Sequence, residues 1–489
     1  MQSVISISIV ILYVLILLTI HLVLRKRIEH TLDSFVFTGN NVGTALLAPS
    51  VFVAWIWPTS IIGAAEAGIA YGVSGGIAYA FGAGIAFFFM IIIIHRFHSL
   101  MPDQPFVSEF IRKRFSAEAN TVYLFLMVLI SIYLIVEMAA GIGFVFSGLF
   151  GVSFKMVTFS IVAFSIIFIV RNGIKGVLIN DCINSILILV GFGVIVGLIF
   201  MKFDPETLRL GLLDVQNNPE NNNYNPEILN YFALGGIRYF VAAIVVGLAQ
   251  TCFDPAYNLR AFIAKDEKTF LRSFFIGGVL LFCPVALLSS IVLGHSLLVL
   301  NIELSEVINL STIIASKIFI DLLPIWASVL FAFVMLCITM TTISSSLVGI
   351  LSLASYNIYP TLLKSKTQDE KQILFGRVFT IIIGLICALI AISLEKISLL
   401  TLDTFCGILF AAPCSVLIMG LLSKKKLGRL SVTAIFIGAT SGFCFWIFNM
   451  ETDAGWFYGT LISFFLPVIF LSISSWFIKD RFNFTSLKW

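Results

Sequence analysis

Three polar stretches interrupt an otherwise apolar chain, and all three offer oxygen ligands in place of nucleophiles. VFVAWIWPTS, Val51 to Ser60, sets two tryptophans, a proline and two hydroxyl residues inside a membrane-length run. VVGLAQTCFDPAYN, Val245 to Asn258, is again polar and again carries a proline, Pro255. TMTTISSS, Thr339 to Ser346, has six hydroxyls in eight residues. A proline removes a backbone donor and pushes its predecessor out of the α region. The carbonyls so freed cannot face lipid, so they line a cavity or meet a ligand. Carbonyl and hydroxyl oxygens together suit a hard cation such as Na⁺, which places carbonyls of the first break opposite hydroxyls of the third stretch. The plainer alternatives are a proline kink that only bends a packed helix and hydroxyls that bond the preceding turn or pack helices.

Around these stretches stand residues that could bind or gate a solute. Trp55 and Trp57 are mid-span, where lipid-interface belts are not found, and a tryptophan face suits a planar solute or a cation. On a continuous helix they would point about 200° apart, so both face one solute only if the chain unwinds. Thr59 and Gln250 flank the two breaks. Glu137, in YLIVEMAAGIG, is an acid in mid-span. It is a counter-charge for a cationic solute, a proton-coupling acid, or half of a structural pair. Asp254 caps the inner half-helix or lines the solute path. Glu66 lies eleven residues past Trp55, roughly 16 Å along a helix, toward an outer vestibule. Asp403 reads as a helix cap or vestibule residue.

These residues need a membrane scaffold. The chain has 489 residues, of which 59% are hydrophobic and 11% charged, and its mean hydropathy is +1.06. Apolar runs of about twenty residues recur from end to end, the pattern of an all-α polytopic membrane protein. About thirteen spans are expected, near 4–24, 44–72, 77–99, 121–149, 154–170, 174–201, 231–253, 272–298, 323–356, 375–394, 398–423, 430–449 and 456–477. Val4 to Leu24 lacks a basic leader and a cleavage site and reads as a retained first span, N-terminus outside. Twenty-four Lys and Arg residues then fall on the inside against five outside (Lys155, Lys202, Arg209, Lys317 and Lys396), which puts the C-terminus inside. The net charge of +4 thus reports topology, and nucleic-acid binding is not expected. The eight cysteines lie singly in or beside apolar runs, without metal-ligand spacing. With no Walker A motif, nucleophile–base pair or soluble domain, an enzyme is not expected. The 301–323 segment is expected to hold short interfacial helices.

Paired interruptions in corresponding spans of two halves point to a secondary-transporter site. If the second and seventh spans each begin a five-helix repeat, the repeats run over 41–201 and 229–423. An odd helix number inverts the second copy. The extra helices are 4–24 and the pair in 430–477, and 1–489 is a single transporter domain.

Five motifs in order, FTGNNVG, FVSEFIRKRFS, RNGIKGVLINDCINSI, NLRAFIAKDEKTFLRS and MTTISSSLVGILSLASYNIY, resemble the sodium:solute symporter family. AWIW and DPAYNLRAFIA look most like its urea and polyamine transporter branch, although Pro58 stands where alanine is usual. The resemblance implies a LeuT-type 5+5 inverted-repeat core and Na⁺ as coupling ion. By position, its sodium ligands are the carbonyls of Val53, Ile56 and Ile338 and the hydroxyls of Thr341 and Thr342, with Asp181 tied to sodium release. Trp55 stands where other branches often keep an aspartate. The expected function is Na⁺-coupled symport of a small polar organic solute, urea, polyamine or amine-like, across the plasma membrane, for which a monomer suffices. The alternatives are the same fold coupled to protons through Glu137 or Asp181, or a transport-inactive sensor or facilitator.

Overall fold

The computed structural model describes residues 2–24, 31–39, 41–302, 314–363, 368–395, 399–450 and 454–487. Among them are helices and two isolated β-bridges but no strand, and ten helices are long and apolar enough to cross a membrane. In chain order the main helices are α1 (Gln2–Leu24), α2 (Leu32–Val36), α3 (Thr44–Trp55), α4 (Pro58–Leu100), α5 (Val107–Arg114), α6 (Ala117–Phe150), α7 (Phe154–Lys202), α8 (Pro205–Asn217), α9 (Leu234–Phe253) and α10 (Pro255–Phe262). They continue with α11 (Glu267–Val299), α12 (Ile325–Leu353), α13 (Asp369–Ala391), α14 (Leu399–Leu422), α15 (Leu430–Phe448) and α16 (Gly455–Phe477).

Helix α7 holds two expected spans, and α4 holds one together with the outer part of another. In α4 the chain turns at Gly72, φ 62° and ψ −145°, a region open to glycine and costly for other residues. The two halves then lie side by side, and the Tyr79 hydroxyl donates to the Thr59 carbonyl at 3.0 Å. In α7 the same turn occurs at Gly173, φ 56° and ψ −155°. The expected 44–72 span is α3 plus the first half of α4, cut by a break at Ile56 and Trp57. The 231–253 span is α9, which continues as α10 after a break at Asp254. In the 301–323 segment, residues 303–313 lie outside the described residues, and Ile314–Ile320 form a short, wide helical segment with i→i+5 bonding. Arg25, Lys26, Arg27, Lys364, Lys366, Lys396 and Lys488, counted above for sidedness, also lie outside the described residues.

Helix α12 is the axis of the molecule, with every residue from Val334 to Leu353 buried. Helix α13 instead presents Leu374, Val378, Ile382, Leu385 and Leu389 outward, the three-to-four-residue spacing of a lipid-facing stripe. Small residues bring α4 and α9 close. A side chain on Gly82 would press on Ala243, and one on Gly247 would press on Ala86. Outside the spans, Asp266 caps α11 by accepting from the Thr269 amide at 2.7 Å, and hydrogen bonds from Thr269 hold its carboxyl below the usual range.

The Gly72 turn has no space for a side chain, because a Cβ there would collide with the Ile228 carbonyl. Gly428 also has positive φ, 51°, but faces open space. Gly428→Ala is therefore expected to cost only the backbone strain, about 1–2 kcal/mol. Gly72→Ala is expected to lower the unfolding temperature of the solubilised protein distinctly further. Equal losses would contradict the close approach at Gly72.

Candidate functional site

The site is built on unpaired backbone. Pro58 has no N–H to offer the Ala54 carbonyl, and Ile56 and Trp57 are extended, with ψ 118° and 164°. The last carbonyls of α3 thus lose their helical donors. Two are recovered locally. Ala54 accepts from the Trp57 indole at 2.8 Å and from the Tyr257 hydroxyl at 2.7 Å. The Trp55 carbonyl has the Ser60 hydroxyl at 3.5 Å. The Trp57 amide donates to the Ser60 hydroxyl at 3.0 Å, and the Ser60 amide donates to the Trp57 carbonyl at 2.9 Å. Neither of these amides serves Val53 or Ile56.

The carbonyls of Val53 and Ile56 face α12 instead. Thr341 Oγ1 stands 3.4 Å from the Val53 oxygen, and Thr342 Oγ1 stands 3.5 Å from the Ile56 oxygen. Both hydroxyls also reach the Ile338 carbonyl, at 2.8 and 3.1 Å. Two oxygens bound at right angles to one hard cation at about 2.4 Å stand about 3.4 Å apart, so the spacing fits such an ion. Two hydroxyl protons serve this group of carbonyls, and the C-terminal end of α3 adds negative partial charge. The five residues expected from the resemblance are thus brought together in the interior.

One helical turn below on α3, Ser50 belongs to a fully buried charge network. Asp181 accepts from Ser50 at 2.5 Å and from Arg260 at 2.9 Å. Arg260 also donates to Ser50 at 2.8 Å and to Ser345 at 2.7 Å. Both members of the ion pair are 0% exposed. The network ties α3, α7, α10 and α12 together. The expected 231–253 span ends before Arg260. Helix α10 carries that residue back into the core.

On the other side of the break lies a cavity of about 310 Å³, extending from Trp55, Trp57 and Gln250 toward Glu66, Tyr71 and Trp456. Both tryptophans line it, with ring centroids 5.3 Å apart and planes at 73°, because the extended residues between α3 and α4 realign them. Thr59, Glu137 and Asp254 do not line it. Asp254 caps α10, accepting from the Ala256 amide at 2.8 Å, the first of the two roles expected for it. Glu137 is 0% exposed behind the wall, and its polar neighbours are Asp403, Tyr133 and Thr59. Asp403, read above as a cap or vestibule residue, lines the cavity and accepts from Tyr133 at 2.6 Å and from Gln250 at 3.1 Å. A signal for it was present: an acid within an apolar span, in a chain whose neighbouring spans already carry acids.

The family model described as the sodium:solute symporter family matches residues 35–438. The chain belongs to the sodium:solute symporter family. It is accordingly a multi-pass membrane protein of a transporter family and not an enzyme. The chain is 23% identical over 388 residues to a urea-proton symporter of Oryza sativa subsp. japonica, covering 75% of this chain and 53% of that protein. It thus spans about half the length of that relative. It is also 21% identical to a urea active transporter of Saccharomyces cerevisiae, covering 96% of this chain and 68% of that protein. Among solved structures, a Na⁺-coupled sialic acid symporter matches with a TM-score of 0.78 at 18% identity, covering 98% of this chain and 99% of that one. Mhp1, a nucleobase-cation-symport-1 family transporter, matches at 0.58 and 12% identity, covering 92% and 97%. These likenesses show the LeuT-type fold.

Removing Arg260 leaves a buried carboxylate without its partner. Arg260→Met is therefore expected to cost about 3–5 kcal/mol of stability, and adding Asp181→Leu is expected to restore most of it. Unfolding of the solubilised variants checks this. A double variant no more stable than Arg260→Met would contradict the pairing.

Proposed function

We propose that the chain is a secondary active transporter of the plasma membrane that couples Na⁺ entry to uptake of a small polar organic solute by alternating access. The observation that carries this is the oxygen cluster of Val53, Ile56, Ile338, Thr341 and Thr342, in which carbonyls freed by the break in one helix meet hydroxyls of another. Na⁺ bound there bridges α3 and α12. That contact fixes the unwound segment and, with it, the positions of Trp55 and Trp57 on the cavity wall. The names of the relatives support urea or an amine-like compound as solute. With the N-terminus outside, the Gly72 turn is on the outer face and the cavity faces outward, while the buried Asp181–Arg260 network closes the inner side. Release of Na⁺ inward then requires that network to part, and Asp181 is the acid closest in role to the departing ion.

The energetics are sufficient. One Na⁺ moving down about 100 mV contributes about 2.3 kcal/mol, and a tenfold gradient adds about 1.4. The total of about 3.7 kcal/mol supports roughly 500-fold accumulation of a neutral solute per ion. A second reading, proton coupling in the same fold, is favoured by the likeness to the rice urea-proton symporter, and Glu137 or Asp181 would then carry the proton.

Uptake into proteoliposomes separates the two. A Na⁺ gradient at equal pH is expected to drive accumulation, and a pH gradient in sodium-free buffer is not. Thr341→Ala combined with Thr342→Ala is expected to raise the Na⁺ concentration for half-maximal uptake at least tenfold. Unchanged sodium dependence in that variant would remove the assignment of the ion site.

A further inference from the structure

The end of the chain is tied down by a buried arginine. Arg114, in the last turn of α5, is 1% exposed. Its Nε donates to the Gly420 carbonyl at 2.7 Å, and its Nη2 donates to the carbonyls of Ser423 and Lys425 at 2.7 and 2.9 Å. The guanidinium lies over the Phe482 ring, 4.3 Å from its centroid. Arg114 thus holds two segments, the one that leaves α14 and the one that follows α16. These segments also pair with each other. The Phe482 amide donates to the Lys424 carbonyl at 2.8 Å and the Lys426 amide donates to the Asp480 carbonyl at 3.1 Å, around an antiparallel bridge between Lys425 and Arg481.

That pairing sets like charges together. Residues flanked by the hydrogen bonds in this way have Cα atoms about 4.5 Å apart, and like charges directly opposite destabilise the pair. Lys425 turns its ammonium to the Ile478 carbonyl at 2.8 Å, and Arg481 is exposed. Alternation along the extended segment puts Lys479 on the face of Arg481, away from Phe482 and Arg114. Lys424 and Lys426 are exposed at the edge. Against these cations, 424–426 and 479–481 hold one acid, Asp480. None of the ion pairs among the described residues includes Asp480 or any of the five cations.

An apolar stripe leads to this charge. On α16, Phe465, Ile469, Ile473, Trp476 and Phe477 are exposed, at the three-to-four-residue spacing of one helix face. Tryptophan at the end of a span marks the headgroup level, and Lys479 follows two residues after Phe477. Acyl-facing side chains that end in aromatic residues and then in unpaired cations match a lipid whose headgroup is negative.

We propose that the 424–426 and 479–481 segments form a docking site for an anionic phospholipid, its headgroup on Lys425, Lys479 and Arg481 and its acyl chains along α16 beside Trp476 and Phe477. The bound headgroup offsets the opposed charges of the bridge and steadies the junction of α5, α14 and α16 that Arg114 holds. This goes beyond the reading of the chain as a symporter and is independent of the coupling ion.

Thermal unfolding of the purified full chain in detergent tests the site, with added phosphatidylglycerol, phosphatidylcholine or inorganic phosphate at equal ionic strength. Phosphatidylglycerol is expected to raise the unfolding temperature saturably, and the other two are not. Lys424→Gln combined with Lys479→Gln and Arg481→Gln is expected to raise the phosphatidylglycerol concentration for half the effect at least fivefold. Lys265→Gln combined with Lys268→Gln and Arg272→Gln removes the same charge from another exposed segment and is expected to change it less than twofold. Lys479→Gln alone, outside the bridge, is the milder variant and is expected to raise it at least twofold. Equal stabilisation by phosphatidylcholine, a matching response to inorganic phosphate, or equal losses in the two triple variants would overturn the site. If the first triple variant does not fold, the wild-type comparison and Lys479→Gln decide.

Discussion

A backbone carbonyl without a donor cannot be left facing hydrocarbon, and the architecture around the centre of this protein follows from that constraint. Pro58 withdraws one N–H and forces Ile56 and Trp57 into extended geometry. The carbonyls this exposes are not treated alike. Ala54 is held by two donors, the Trp57 indole and the Tyr257 hydroxyl. Val53 and Ile56 are turned toward Thr341 and Thr342. Such an arrangement offers several converging oxygens to a hard cation. Tyr257 belongs to α10, which begins at the second break, so one interrupted helix steadies the other. Arg260, less than one turn farther along α10, anchors the same helix to Asp181, Ser50 and Ser345.

The two sides of the break are chemically different, and that difference is what alternating access needs. On one side a cavity is lined by aromatic rings and two acids. On the other, Asp181 and Arg260 form a fully buried ion pair. In the proposed function, an ion that fixes the unwound segment positions the tryptophans for a solute, and its release loosens α3 from α12 next to a buried ion pair whose partners lie on different helices. Such a pair is costly to separate, which suits an inner closure that opens only when contacts around it change together.

Much of this was legible in the sequence because proline and charge leave strong marks in an apolar chain. Both breaks were marked by their prolines, and the hydroxyl run Thr339 to Ser346 stood out against the most buried helix. Other features depended on the folded path. Trp55 and Trp57 would diverge on a regular helix, and they share a wall only because the residues between α3 and α4 are extended. Asp254 resembled a solute contact in its polar segment, yet as the residue before Pro255 it caps the helix that follows. Asp403 lies near the start of α14, where a cap is the ordinary explanation, and only the approach of Tyr133 and Gln250 from other helices shows its use. Arg260 lies beyond the expected 231–253 span, and only the folded path shows that α10 returns its guanidinium to the core.

The central claim is that a sodium ion completes the carbonyl and hydroxyl cluster at the first break. Its most direct test is the unfolding temperature of the purified wild-type chain, without solute, titrated with NaCl against KCl at matched ionic strength and pH. The account predicts a saturable rise in NaCl, growing as RT ln(1 + [Na⁺]/Kd), and none beyond the general salt effect in KCl. Superimposable curves in the two salts would contradict it.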